Sequence, residues 1–295
     1  MKSGFIVSTA NKGGNMILDK NYKGLEFKNG RYFYDGNIET TENLEIKLDN
    51  LLEVAGYIEA GWSIKASGSI EASGSIEASG YIEAGGSIKA SGSIEAGWSI
   101  KASGSIEAGG SIEASGYIEA GGSIIAGESI KAGESIIAGW SIKAGEYIKA
   151  GGSIKASGSI EAGWSIKASG SIEASGSIEA SGYIEAGGSI IAGESIEAGE
   201  FIKAGESYGI SAALYITAQD TISCGLKIFA GICTWKNTED SDKTITCSKL
   251  LSGTVEYGIL KETGEAKKKI TIDGKEIEIS LESFDALKRS LEEGR

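Results

Sequence analysis

Residues 56–207 repeat one six-residue pattern 25 times without interruption. An isoleucine recurs at every sixth position from Ile58 to Ile202, and an alanine follows two positions later from Ala60 to Ala204. A strict period of six fits neither an α-helix nor an ordinary sheet. It is typical of a solenoid, in which each short strand stacks on the coil below it.

Each repeat predicts which side chains point inward. Because side chains alternate along a strand, the isoleucine and the alanine share one side and the residue between them faces the other. That middle residue is Glu in 13 repeats, Lys in 9 and Ile in 3. Every repeat also has at least one glycine in the two positions after the alanine, where we expect a corner that needs glycine's backbone freedom.

The length of one coil follows from how many repeats close it. Two repeats would give a flattened coil, and three would give a triangular one. An isoleucine and an alanine on each side are enough to fill a triangular interior. We therefore predict an all-β, single-stranded β-solenoid, a triangular β-helix with about 18 residues per coil.

The pattern becomes less regular at both ends, as expected for capping coils. The phase slips by two residues after Ile202 and resumes at Ile210. Upstream, Asn29-Gly30 is a turn signal between aromatic runs. The predicted organisation is an N-terminal β cap over residues 1–37, the solenoid over residues 38–235 and a C-terminal module over residues 236–295.

The C-terminal module has its own signals. Residues 270–279 predict a hairpin with a turn at Asp273-Gly274. Ser280 is placed to cap a final helix. The apolar stripe of that helix would comprise Leu281, Phe284, Leu287 and Leu291. This small ββα unit either covers the last coil or binds a partner.

The composition excludes most catalytic chemistry. The chain has no histidine, which removes Ser-His and Cys-His arrangements. Three scattered cysteines, Cys224, Cys233 and Cys247, form a poor zinc set and are expected to be buried reduced thiols. No GxxxxGK[ST] phosphate loop is present. We predict a protein that is not an enzyme and has no catalytic residues, cofactor or metal.

The charge balance indicates the kind of partner. The formal net charge is −13 and no basic stripe is present, which argues against direct binding to nucleic acid and permits binding to basic proteins. No segment approaches the ~20 apolar residues of a membrane span, and the first residues lack an apolar leader. We expect a cytoplasmic protein with no membrane partner, as a monomer or small homo-oligomer.

Aromatic residues at corners and strand starts are the candidate contacts for a protein partner, because Trp and Tyr dominate binding hot spots. The alternative is packing over a neighbouring corner or strand. A block beginning at Glu95 recurs at Glu161, eleven repeats later, which is not a whole number of three-repeat coils. The copied aromatics should therefore lie on a different face. The candidates are Trp62, Trp98, Trp140, Trp164, Trp235, Tyr147 and Tyr183.

Two families of hexapeptide-repeat proteins offer a comparison. Left-handed hexapeptide acyltransferases carry a small inward residue two positions before the aliphatic one. Here that position holds residues such as Trp62 and Glu128, and the catalytic histidine is missing, so we set this family aside. The stretch Gly68-Ser69-Ile70-Glu71-Ala72 resembles the strands of bactofilins, bacterial polymer-forming cytoskeletal proteins, over residues 38–230. That resemblance implies a right-handed triangular helix and a self-assembling scaffold.

A second resemblance concerns the whole repeat unit. The SIEAG and SIKAG repeats with the tail from Phe229 to Trp235 resemble uncharacterised proteins of Gram-positive phages and mobile elements. Small acidic proteins of such elements often inhibit host defence nucleases, including CRISPR effectors. The resemblance implies an anti-CRISPR-like, non-enzymatic protein in the host cytoplasm that binds a basic nucleic-acid enzyme. The alternative is the bactofilin-like scaffold.

Overall fold

The computed structural model describes residues 4–8, 15–264, 267–272, 275–280 and 283–284. It is an all-β, parallel solenoid of about 13 turns with roughly 18 residues per turn. Each strand pairs in register with the strand one coil later, so that Ile58 lies beside Ile76 and Ala60 beside Ala78. The predicted triangular coil is confirmed, and the flattened two-repeat coil is excluded.

Three columns of strands run along the rod, and we name them faces 1, 2 and 3. Face 1 comprises Gly4–Ser8, Gly36–Thr40, Ile58–Ala60, Ile76–Ala78, Ile94–Ala96, Ile112–Ala114, Ile130–Ala132, Ile148–Ala150, Ile166–Ala168, Ile184–Ala186 and Ile202–Lys203. Face 2 comprises Met16–Asp19, Leu44–Lys47, Ile64–Ala66, Ile82–Ala84, Ile100–Ala102, Ile118–Ala120, Ile136–Ala138, Ile154–Ala156, Ile172–Ala174, Ile190–Ala192 and Ile210–Ala212.

Face 3 and the long strands complete the rod. Face 3 comprises Arg31–Tyr34, Leu52–Val54, Ile70–Ala72, Ile88–Ala90, Ile106–Ala108, Ile124–Ala126, Ile142–Ala144, Ile160–Ala162, Ile178–Ala180, Ile196–Ala198, Ile216–Ala218, Thr244–Cys247 and Ile259–Glu262. Thr221–Ala230 continues both face 1 and face 2, since its first half pairs with Ile202–Lys203 and its second half with Ile210–Ala212. Lys249–Tyr257 stacks along this long strand.

The core is the predicted column of inward side chains. Every repeat isoleucine from Ile58 to Ile202 is at most 1% exposed, and every repeat alanine from Ala60 to Ala204 is at most 8% exposed. After the phase slip, Ile210 pairs with Ile190, and the inward series continues. Burial of this apolar column is the main force that holds the coils together. The inward assignment is therefore confirmed.

The corner glycines serve a different purpose from the one expected. No glycine between residues 56 and 209 has a left-handed φ; the positive values lie outside the repeats. Instead, the coils approach too closely for a side chain. A Cβ at Gly139 would lie 2.0 Å from the carbonyl oxygen of Gly121 in the coil below. The expectation of special backbone angles was wrong, and glycine is needed for space.

Parallel stacking reaches into both predicted end modules. At the N-terminus, Gly4–Ser8 and Met16–Asp19 stack on the next coil. Leu25–Lys28 and Arg31–Tyr34 form an antiparallel hairpin around Asn29-Gly30, both with positive φ, as the turn signal predicted.

At the C-terminus, stacking continues past residue 235 to Ile259–Glu262, after a short 3-10 helix at Asp240–Lys243. The predicted hairpin is confirmed as Lys267–Ile272 paired with Lys275–Ser280. The predicted final helix lies outside the described residues except for Ser283 and Phe284.

Candidate functional site

The serine before each isoleucine links one coil to the next. In 13 cases its Oγ accepts a hydrogen bond from the backbone N–H 18 residues later, as when Ser159 N–H donates to Ser141 Oγ at 3.2 Å. The residue 17 positions after each of these serines is glycine. Where that residue is Glu128, Ser111 Oγ donates to its carboxylate at 3.0 Å instead. These hydroxyls are structural groups.

Outward glutamates and lysines pair across coils over much of the rod. Eight ion pairs join residues 18 apart, with N···O distances from 2.7 to 3.7 Å. Exposed pairs of this kind contribute roughly 0–1 kcal/mol each. Their main effect is to leave most of the surface locally neutral.

Face 1 departs from this neutral pattern. Four glutamates, Glu59, Glu77, Glu95 and Glu113, follow one another on consecutive coils, about 4.8 Å apart. We name this row the acidic ladder. It lines a groove of about 690 Å³ that continues past Lys131 and Lys149. Only its last member has a cation in the neighbouring coil of the same face, since Glu113 lies 3.6 Å from the Lys131 ammonium.

The pKa of Glu77, the second member of the acidic ladder, is raised above its usual value. Burial raises the pKa of Glu77, and the neighbouring carboxylates of Glu95 and Glu59 raise it further. On face 3, burial likewise raises the pKa of Glu179, with Glu197 as the next cause. In both places, like charges on adjacent coils make the ionised carboxylate less favourable.

Aromatic residues form two strips along the edges of the rod, exposed throughout strip A and half-buried in strip B except at Trp164. Strip A consists of Trp62, Tyr81, Trp98 and Tyr117, one on each of four consecutive coils at the corner between faces 1 and 2. Strip B consists of Tyr147, Trp164, Tyr183 and Phe201 at the corner between faces 3 and 1. The duplication of eleven repeats relates Tyr81, Trp98 and Tyr117 of strip A to Tyr147, Trp164 and Tyr183 of strip B.

Each strip contains a cleft of matching construction. In strip A, Trp98 and two tyrosines line a space of about 490 Å³ that also includes Ser99. In strip B, Trp164 and two tyrosines line a space of about 440 Å³ that includes Ser165. We name these cleft A and cleft B. The serine lies midway between the two tyrosines, one coil from each.

The predicted aromatic candidates therefore lie at different places on the rod. The structure places Trp98 in cleft A and places Trp164, Tyr147 and Tyr183 together in cleft B. Trp62 lies on the corner of strip A, two coils from Trp98.

The other two tryptophans stand apart from the clefts. Trp140 occupies the corner between faces 2 and 3, where Gly122 and Gly158 flank it in the adjacent coils. Trp235 follows the long strand Thr221–Ala230. All five tryptophans are 58–68% exposed, so each leaves most of its ring open to solvent and covers part of it against the rod.

Several members of these surfaces were not predicted from the sequence. Tyr81, Tyr117 and Phe201 were not among the candidates, and the acidic ladder was not recognised. Comparing residues three repeats apart finds them. The comparison is made at the position between Ile and Ala, and at the position before each isoleucine.

The three cysteines are free thiols that differ in exposure. Cys224 and Cys247 are buried, as expected, whereas Cys233 is half-buried. Burial, with the Glu262 carboxylate next, raises the pKa of Cys247 to about 11, so its thiol is neutral near pH 7. In residues 15–264 and the other described segments, no three Cys, Asp or Glu side chains converge closely enough to hold a metal ion. They also contain no helix long and apolar enough to cross a membrane.

Comparisons of the chain with protein-family models, with curated proteins and with solved structures gave no match.

Proposed function

We propose that this protein is a non-catalytic binding rod whose acidic ladder receives a basic surface of a protein partner. The observation that carries the proposal is the row of four glutamates along one groove of face 1. Elsewhere on the rod, lysines on adjacent coils neutralise many of the glutamates. The ladder is therefore a place where negative charge is concentrated and directed outward.

The electrostatics of the ladder favour a cationic partner. Like charges held on adjacent strands repel one another, and the raised pKa of Glu77 reflects this repulsion together with burial. Lysine or arginine side chains of a partner would relieve the repulsion. Charge complementarity of this kind accelerates association and selects partners.

A nucleic-acid enzyme of host defence fits this requirement. Such enzymes present basic surfaces to phosphates, and a row of carboxylates can compete for the same surface. Carboxylates every ~4.8 Å are sparser than the phosphates of one DNA strand, every ~3.4 Å, so the ladder occupies a basic groove without reproducing a duplex. The resemblance to mobile-element proteins supports inhibition of such an enzyme in the host cytoplasm.

A capture experiment with matched variants tests the proposal. The ladder variant carries Gln at Glu77, Glu95 and Glu113. The control carries Gln at Glu83, Glu119 and Glu173, which removes the same charge from ion pairs on face 2. We expect the original protein and the control to retain a basic host protein at low salt, and the ladder variant to lose it.

Salt and activity measurements complete this test. Retention should weaken as salt shortens the screening length to ~3 Å near 1 M. The captured protein, once purified, should lose nuclease activity when the rod is added. Equal retention by the ladder variant, or no retained basic protein, would contradict the proposal.

A self-assembling scaffold is the second candidate, and one observation favours it. Lys249–Tyr257 and Ile259–Glu262 end their sheets without an outer partner among the described strands. An unpaired strand edge can template pairing with another chain. Ordered filaments formed by the purified protein alone, visible by electron microscopy, would favour the scaffold over the binding rod.

A further inference from the structure

Cleft A and cleft B each have the form of an aromatic stack with one member missing. In strip B, Tyr183 and Phe201 occupy the same position on adjacent coils, with ring centroids 4.9 Å apart and planes within 1° of parallel. One coil step therefore accommodates one stacked ring. Tyr147 and Tyr183 are two coil steps apart, and the small Ser165 stands between them.

The dimensions of this gap define what can enter it. Two coil steps separate the backbones of the flanking tyrosines by about 9.6 Å. A single planar ring placed over Ser165 would lie one coil step from each tyrosine, as Phe201 lies from Tyr183. Offset stacking of this kind is the favoured arrangement of aromatic rings. Trp164, 61% exposed, forms a wall of the same cleft.

Cleft A repeats this construction with the same residue types. Ser99 stands between Tyr81 and Tyr117, and Trp98 forms the wall. The backbone N–H of Tyr117 donates to Ser99 Oγ at 3.2 Å, and that of Tyr183 donates to Ser165 Oγ at 3.3 Å. Each serine accepts through a lone pair and keeps its own O–H as a donor.

The charged residues beside the clefts are partly shared. Lys101 pairs with Glu119 at 3.1 Å near cleft A, and Lys167 pairs with Glu185 at 2.7 Å near cleft B. The clefts differ at one further lining position, which is Glu83 in cleft A and Lys149 in cleft B. The common requirement is thus a flat ring with a polar edge, and a negative substituent on that ring would favour cleft B.

The placement of the clefts identifies the size of the occupant. They lie at different corners of the rod, so one flat protein surface cannot fill both in the same way. A small molecule can fill each independently, and both volumes fall within the usual range of small-molecule sites. We propose that clefts A and B are two similarly built binding sites for a small planar heteroaromatic molecule, whose ring completes the stack above Ser99 or Ser165. This inference is independent of the acidic ladder.

Indole is a suitable probe, and the tryptophan side chains report on its position. In 15N-labelled protein, added indole should shift the indole N–H signals of Trp98 and Trp164. Trp140, isolated at another corner, should not shift. Indole-3-acetate should shift the Trp164 signal at lower concentration than the Trp98 signal, because Lys149 replaces Glu83.

Replacing the serine between the two tyrosines of each cleft with tyrosine gives the matched variants. Ser165→Tyr should abolish the response of Trp164 alone, and Ser99→Tyr that of Trp98 alone. Ser93→Tyr is the control. It removes the same kind of hydrogen bond, from a backbone N–H to a serine Oγ, but its position on face 1 is flanked by Ser75 and Ser111 and not by tyrosines. Tyrosine is compatible with this position, since Tyr57 occupies it with Gly74 in the coil above. Similar melting temperatures for the three variants would show that the rod remains folded in each of them.

Three results would overturn the inference. The first is no shift at either tryptophan up to the solubility limit of indole. The second is an equal shift at Trp140. The third is a response to a glucose trisaccharide in place of indole, which would show that the clefts take puckered sugar rings.

Discussion

A serine and the glycine that lies 17 positions after it act as a pair at the coil boundaries. The serine Oγ accepts a hydrogen bond from a backbone N–H of the next coil only where the glycine leaves space for the hydroxyl. A Cβ at Gly158, for example, would lie 2.4 Å from Ser141 Oγ. This coupling explains why the position two residues before each strand is so often glycine.

Removing one such hydroxyl should lower stability measurably. Ser141→Ala deprives the Ser159 N–H of its acceptor. We expect a loss of about 0.5–1.5 kcal/mol in the free energy of unfolding. The control is Ser123→Ala on the same face, where Trp140 stands 17 positions later and the described hydrogen bonds include none to the Ser123 hydroxyl. Denaturant unfolding of the two variants should separate them; equal losses would contradict the assigned role.

The acidic ladder predicts that removing a charge stabilises the protein. At pH 7, Glu77→Gln should raise the free energy of unfolding by up to ~1 kcal/mol, an upper value because solvent screens this partly exposed group. Glu83→Gln, which breaks the ion pair with Lys65, should be neutral or slightly destabilising. Thermal unfolding of both variants checks this prediction, which an unchanged or lower melting temperature for Glu77→Gln would contradict.

The raised pKa of Glu77 predicts how the stability of the protein depends on pH. The folded pKa of Glu77 lies above its usual value of 4.5, so the native state binds the proton more tightly than the unfolded state. Stability from this group therefore increases as pH falls through the folded pKa. The advantage of Glu77→Gln should shrink as pH is lowered from neutral toward 4.5. An advantage that grows on acidification would contradict the prediction.

At the scale of the strand, the Ile-x-Ala triplet leaves little freedom for its inner residues. Ala132 is 3% exposed and lies in register with Ala114 and Ala150 on face 1. Ala132→Leu should overpack the interior and cost about 1–3 kcal/mol. The neighbouring Lys131→Leu points outward and should change stability by no more than ~0.5 kcal/mol. Equal effects of the two substitutions would contradict the inward assignment.

The strand pattern was predictable because period, alternation and burial are all encoded within one repeat. The coil length also followed from the volume that Ile58 and its equivalents must fill. The clefts were harder to predict, because Tyr147, Ser165 and Tyr183 meet only through the register of whole coils. The reason for glycine at positions such as Gly139 depends on the distance between coils, which local backbone preference does not contain.

At the scale of the whole molecule, duplication and coil geometry do not coincide. A copy displaced by eleven repeats moves cleft A from one corner to another, and moves Glu95 of face 1 to Glu161 of face 3. No single face therefore extends unchanged along the rod. The molecule presents separate surfaces: the acidic ladder on face 1 and one cleft at each of two corners.

The C-terminal module is predicted either to cover the last coil or to bind a partner, and a deletion distinguishes these two roles. If residues 265–295 cover the last coil, their deletion should expose the edges of Lys249–Tyr257 and Ile259–Glu262 and cause self-association. Sedimentation velocity over a range of concentrations measures this effect. A truncated protein that stays monodisperse would show that this module is not a cap, and its role as a separate binding module would gain support.

The arrangement of the ladder and both clefts depends on residues three repeats apart being neighbours, and cross-linking tests this directly. Cysteines at Lys155 and Glu173 replace an ion pair of adjacent coils, 3.5 Å between charged atoms. Strand neighbours about 4.8 Å apart lie within the Cα range of a disulfide. Mild oxidation should therefore join Lys155→Cys to Glu173→Cys, and should not join Lys155→Cys to Lys167→Cys, which lies only two repeats further along the chain. Efficient joining of the second pair in place of the first would contradict the three-sided coil.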